Sequence, residues 1–191
     1  MKPVKRLTLA TLAAVTATLL APVAADDDGD EYYEHRRPAW GVHARPGVAP
    51  VDNAQYREEC GACHMAYPPG LLSALSWERI MATLDNHFGE NAELDESTRV
   101  AILNYLLNNA AGRSDYRLSN RMVWNLRYVP TRITELPYFR REHREIPLQL
   151  VLGNPKVRSF SNCNACHRYA ERGSFSEREI YIPGYGRYED D

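Results

Sequence analysis

Apolar residues crowd the first twenty positions of the chain and then thin out. Lys2, Lys5 and Arg6 precede an apolar stretch from Leu7 to Leu20, and Val23-Ala24-Ala25 places small residues before Asp26. A positive start, an apolar middle and a small-residue exit predict a cleaved export signal over residues 1–25, with export to the periplasm as its consequence. At about 14 residues the apolar stretch is short for a bilayer span, and no later stretch reaches that length, so the product is expected to be soluble. Residues 26–52 open with an acidic patch and pass through Pro38, Pro46 and Pro50 without a recurring apolar spacing. They predict an irregular N-terminal arm.

Helical spacing then takes over. Asn53 to His64 can form a helix, which Pro68-Pro69-Gly70 forces to an end. A second helix is predicted over 76–88, with Ser76 as its N-cap and Glu78 suited to the positive end of the dipole, although Arg79 stands where a full capping box wants Glu or Gln. Trp77, Ile80, Met81, Leu84, His87 and Phe88 recur on one face of it, which puts His87 on the apolar side. Gly89 stops it. A third helix is expected over 96–111, capped by Asp95, with Val100, Leu103, Leu106 and Leu107 facing inward and Gly112 beyond its end. Further on, Thr134 is the expected cap of a short helix with Pro137 in its first turn, and Leu136, Phe139 and His143 share a face. Leu148 to Leu152 form another mostly apolar run. The tail from Ile180, with Pro183, two glycines and several tyrosines, reads as an ordered surface strap that becomes acidic at its end. The pattern is that of a mostly α protein with long irregular segments.

Charge narrows the partners. Three of the 23 basic residues lie in the expected leader, so 20 remain against 25 acidic ones, a net charge of −5. No dominant basic surface is available for a nucleic acid. The segment 113–144 departs from this balance, with eight arginines against Asp115, Glu135 and Glu142. Two readings fit it: a solvated basic face, or guanidinium forks that pair with carboxylates.

The cysteines supply the chemistry. There are four, in the pairs Cys60/Cys63 and Cys163/Cys166, and each pair is followed at once by a histidine, His64 or His167. In an exported protein the pattern C-x-x-C-H reads as a c-type haem attachment site. Its two thiols add to the vinyl groups on one edge of a porphyrin while the histidine turns its imidazole onto the iron. A thioredoxin-like dithiol, a structural disulfide or half of a zinc site would each use two cysteines. None of them accounts for the trailing histidine in both pairs, or for the lack of any cysteine outside them. Two covalent haem c groups are therefore expected, in a small multihaem c-type cytochrome with its helices and irregular segments packed around them. The organisation follows as a leader over 1–25, an arm over 26–52 lying on the first haem lobe, that lobe over 53–112 and a second haem lobe over 113–191. Haem propionates would give some of the arginines of 113–144 their carboxylate.

The sixth ligands have to come from elsewhere. His35, His43, His87 and His143 remain, with Met65, Met81 and Met122. His87 leads for the first iron, since a neutral imidazole among apolar neighbours otherwise has to find hydrogen-bond partners there; Met81 is its rival. Beyond His167 the sequence holds neither histidine nor methionine, so the second iron must draw its ligand from upstream. His143 fits best and Met122 is the alternative. His35 and His43 lie in the proline-rich arm.

The sequence resembles the dihaem cytochrome c family, whose members exchange electrons with a small monohaem, oxygen-binding cytochrome c and are often associated with a membrane cytochrome b. The resemblance rests on Glu59 to Gly70, the context Asp85 to Gly89 around His87, the stretch Ile102 to Ala111, the segment Leu136 to Pro147 around His143, and Cys163 to Gly173. It implies two low-spin bis-histidine haems, His64 with His87 and His167 with His143. Redox proteins are then the expected partners, including those two cytochromes, with transient contact to a membrane protein. An iron with two protein ligands has no vacant position for substrate, so the expected role is electron transfer and not catalysis. The alternative from another class is a dihaem enzyme of the peroxidase kind with one open haem site.

Overall fold

The structure is a computed structural model that describes residues 44–188. The expected leader, the arm up to residue 43, and with them His35 and His43, lie outside the described residues. Among the described residues the fold is mostly helical, with seven α-helices and one two-stranded hairpin.

Helix α1 spans Ala54–Gly61 and is capped by Asn53, whose side chain accepts from the Tyr56 amide at 2.8 Å. The break at Pro68 becomes a buried 3-10 turn, Pro69–Leu71, and the Trp77 indole donates to the Pro69 carbonyl at 2.8 Å. Helix α2, Ala74–Met81, begins and ends earlier than its pattern predicts. Ser73, not Ser76, is the cap: its hydroxyl accepts from the Ser76 amide, and Ser76 itself is fully buried within the helix. At the other end the Thr83 hydroxyl bonds back to the Arg79 carbonyl at 3.1 Å, and Thr83 leaves helical geometry with φ −132° and ψ 38°. The backbone runs on as a 3-10 turn, Leu84–Asn86, so His87 is not on the α-helix at all.

Helix α3, Glu96–Asn108, has the expected cap in Asp95 but a different inner face. Thr98, Ile102 and Leu106 are buried, continued by Ala110, whereas Val100 is 40% exposed. Apolar residues run almost unbroken from Val100 to Leu107, so spacing alone permits several faces, and docking against α2 selects one. Helix α4, Arg117–Met122, buries Ser119 and Met122.

Helix α5, Pro137–His143, does not use Thr134 as its cap, because Thr134 sits inside a separate 3-10 turn, Ile133–Glu135. Proline disfavours helical geometry in the residue before it, and Leu136 is indeed extended, with φ −61° and ψ 135°. Leu136 and Phe139 are buried as expected. Short helices α6, Leu148–Val151, and α7, Cys163–Cys166, follow, and of the apolar run at 148–152 Val151 is buried while Leu148 and Leu152 are exposed. The tail forms a hairpin, β1 Tyr181–Ile182 with β2 Gly186–Arg187, antiparallel with Tyr181 opposite Arg187.

One hydrophobic cluster joins these parts: Trp77, Ile80 and Met81 of α2 meet Ile102 and Leu106 of α3, and Met122, Leu136 and Phe139 complete it. The described part of the arm is drawn into both halves, where the sequence suggested the first alone. The Gly47 and Val48 amides donate to the Gly173 carbonyl, the Gly47 carbonyl accepts from Leu118 and Ser119, and the Asp52 amide reaches the Tyr105 hydroxyl.

Candidate functional site

The first C-x-x-C-H begins on the last turn of α1, with Cys60 part-buried, Cys63 exposed and both thiols free. Burial, aided by Glu59, pushes the Cys60 thiol up to about 11. His64 follows, with Nδ1 2.7 Å from the Met65 carbonyl. An Nδ1–H donated there leaves the Nε2 lone pair free to bind a metal. The ring of Tyr67 lies against the same imidazole, centroids 4.8 Å apart and planes within 26°.

His87 reaches this site from a tight turn. Its amide donates to the Glu90 carbonyl at 2.7 Å and the Glu90 amide returns a bond at 3.2 Å, with Phe88 at φ 58° and Gly89 at φ 106° between them. Two successive positive φ values define the turn, which is why glycine follows Phe88. The result is a His64–His87 ring separation of 6.2 Å with planes 25° apart. Burial, then the nearby His64, then Arg132 lower the His87 pKa. The Arg132 guanidinium lies 4.0 Å over the Phe88 ring.

The second site is more enclosed. Cys163 and Cys166 occupy the single turn of α7, closed by the His167 amide donating to the Cys163 carbonyl at 2.8 Å. Burial pushes the Cys163 thiol up to about 11 and, with His143 close by, holds His167 down at about 4. His143 ends α5, its ring stacked on Phe139 at 3.9 Å and its Nδ1 2.8 Å from the Phe139 carbonyl. The His143–His167 rings are 6.1 Å apart with planes at 68°. Phe160 stands edge-on to His143, and Phe175 packs 5.3 Å from His167. The pair faces a cavity of about 380 Å³, also lined by Leu71, Met122 and Val151.

These distances test whether a haem iron fits. Two imidazoles bound end-on to one metal at about 2.0 Å would place their ring centroids about 6.3 Å apart. Both observed pairs lie within 0.2 Å of that value. Each pair could supply two axial donors to an iron whose other ligands come from a macrocycle; among the described residues no group of three or more His, Cys, Asp or Glu could hold an ion alone.

Of the rival ligands, Met81 is packed in the core and Met122 lines the second cavity. Of the arginine-rich segment, Arg132 borders the first pair, while Arg141 and Arg144 line the second cavity and pair with Glu142 and Glu145, each at 2.9 Å. Tyr67, three residues beyond His64, and Phe175, eight beyond His167, were not among the expected site residues, and no shared offset from the two motif histidines marks them.

A family model described as Dihaem cytochrome c matches residues 56–175, which hold both C-x-x-C-H motifs together with His87 and His143. Among solved structures, the chain is similar to the dihaem c-type cytochrome of Shewanella baltica OS155, at 45% identity and a TM-score of 0.61, over 72% of this chain and 98% of that one. It is also similar to the dihaem cytochrome c of Rhodobacter sphaeroides, at 48% identity and a TM-score of 0.59, over 67% of this chain and all of that one. No curated protein matches the chain.

Proposed function

Because the chain belongs to the dihaem cytochrome c family, carries two covalently bound haems c and serves as an electron carrier, we propose that it works in the periplasm with both irons held between two histidines. Cys60 and Cys63 attach the first haem, with His64 and His87 as its axial ligands. Cys163 and Cys166 attach the second, with His167 and His143. When bound, each haem iron takes up and gives back one electron.

The residues around the irons set how readily that happens. Donation from His64 to the Met65 carbonyl, and from His143 to the Phe139 carbonyl, fixes the imidazole orientation and makes the ring a stronger donor to the metal. Phe139, Phe160 and Phe175 exclude water from the second site. A dihaem enzyme of the peroxidase kind would need one imidazole out of reach of its iron. The observation that carries the carrier reading is the opposite one, two ring pairs at 6.2 and 6.1 Å.

Its partners on this reading are redox proteins, with a small monohaem cytochrome c and a membrane cytochrome b as the first to try. The oxidised protein should show only low-spin iron in its optical and electron paramagnetic resonance spectra, and the reduced protein should bind almost no carbon monoxide. Binding of one carbon monoxide per protein would overturn the bis-histidine assignment and revive the enzyme.

A further inference from the structure

Tyr67 touches both iron sites. Its ring lies on the imidazole of His64, and its hydroxyl donates to the Ser161 carbonyl at 2.6 Å, across 94 residues of sequence. Ser161 stands two residues before Cys163, and the Cys163 sulfur is 3.6 Å from that same carbonyl oxygen. The Tyr67 backbone is itself fixed, because the buried Tyr56 hydroxyl donates to the Tyr67 carbonyl at 2.8 Å. One side chain thus joins the proximal histidine of the first site to the attachment segment of the second, through one ring contact and one hydrogen bond.

We propose that Tyr67 is the positioning residue that couples the two sites: its ring holds the plane of the His64 imidazole, and its hydroxyl ties that ring to the segment carrying Cys163. The proposal rests on the ligand assignment above. A stacked ring opposes rotation of the imidazole about its bond to the metal. That rotation matters, because parallel imidazole planes donate to a ferric iron along one direction and separate its orbitals widely, whereas crossed planes leave two of them nearly equal. The pair holding His64 is near-parallel, at 25°, and the other pair is crossed, at 68°. Irons held by these two pairs would therefore be spectroscopically distinct, with the ring of Tyr67 keeping the first in the parallel state.

Two variants separate the ring from the hydroxyl. In the haem-loaded protein, Tyr67→Leu should move the g-values of the near-parallel iron toward the crossed type and shift its reduction potential, while the other iron keeps its signal. Tyr67→Phe should keep both signals and speed hydrogen exchange of the Asn162, Ala165 and His167 amides about five- to tenfold, the scale of one lost hydrogen bond. Tyr105→Phe, which alters a hydroxyl elsewhere in the same core, should leave the g-values and those amides unchanged. First-iron g-values that survive loss of the ring, or amide exchange that ignores loss of the hydroxyl, would overturn the proposal. The parent spectrum distinguishes failure of the ligand assignment, since high-spin or methionine-bound iron would be visible before any substitution.

Discussion

The His143 imidazole carries three constraints at once: a stacked Phe139 ring, a carbonyl on Nδ1 and a second imidazole 6.1 Å away. Such a side chain has little rotational freedom left, and its Nε2 is the atom that remains for a metal. Replacing His143 with alanine should leave the second haem attached through Cys163 and Cys166 but open on one face. About half of the iron should then turn high-spin, and the reduced variant should bind carbon monoxide at a stoichiometry near one. A variant that stays low-spin and refuses carbon monoxide would point to Met122, which lines the same cavity. His143 was legible in the sequence because it continues the face begun by Leu136 and Phe139. His87 was legible only as an apolar-side histidine, since the helix expected to carry it stops at Met81 and a turn delivers it instead. Tyr67 was not legible, because its hydroxyl meets a carbonyl 94 residues away and no local pattern encodes that contact.

Elements were legible where one local signal dominated and were misplaced where two competed. Asp95 starts α3 as expected, since one acidic cap precedes the apolar run. Ser76 was the expected cap of α2, but it is buried within the helix and Ser73, three residues earlier, takes the role. Thr134 lost its role to Pro137, which splits one expected helix into a turn and a helix. The junction of arm and core depends on Gly173, at φ 76°, whose carbonyl accepts from Gly47 and Val48. A Cβ there would lie 2.2 Å from the Val48 carbonyl oxygen, on backbone that has no flexible end to move. Gly173→Ala should therefore cost about 2 kcal/mol or more, from the left-handed backbone together with the clash. Thermal unfolding of the haem-loaded protein checks this, and a melting temperature equal to the parent's would show that the junction yields freely.

Across the whole molecule the two sites are unequal. The first is bounded by an exposed His64 and a turn, the second by a cavity and three phenylalanines, yet a single cluster of apolar residues lies under both. The division of the sequence into four segments was read from motif positions, and residues 1–43 lie outside the described residues. Intact mass of protein taken from the periplasm should equal the polypeptide from Asp26 plus two haems; a membrane-bound product that keeps Met1 to Ala25 would contradict the export reading. Axial ligation decides between carrier and enzyme, and a crystal structure of the haem-loaded protein reads it directly. It should show each iron bonded to two imidazole nitrogens at about 2.0 Å, His64 with His87 and His167 with His143, whereas a methionine sulfur or a water on either iron would contradict it.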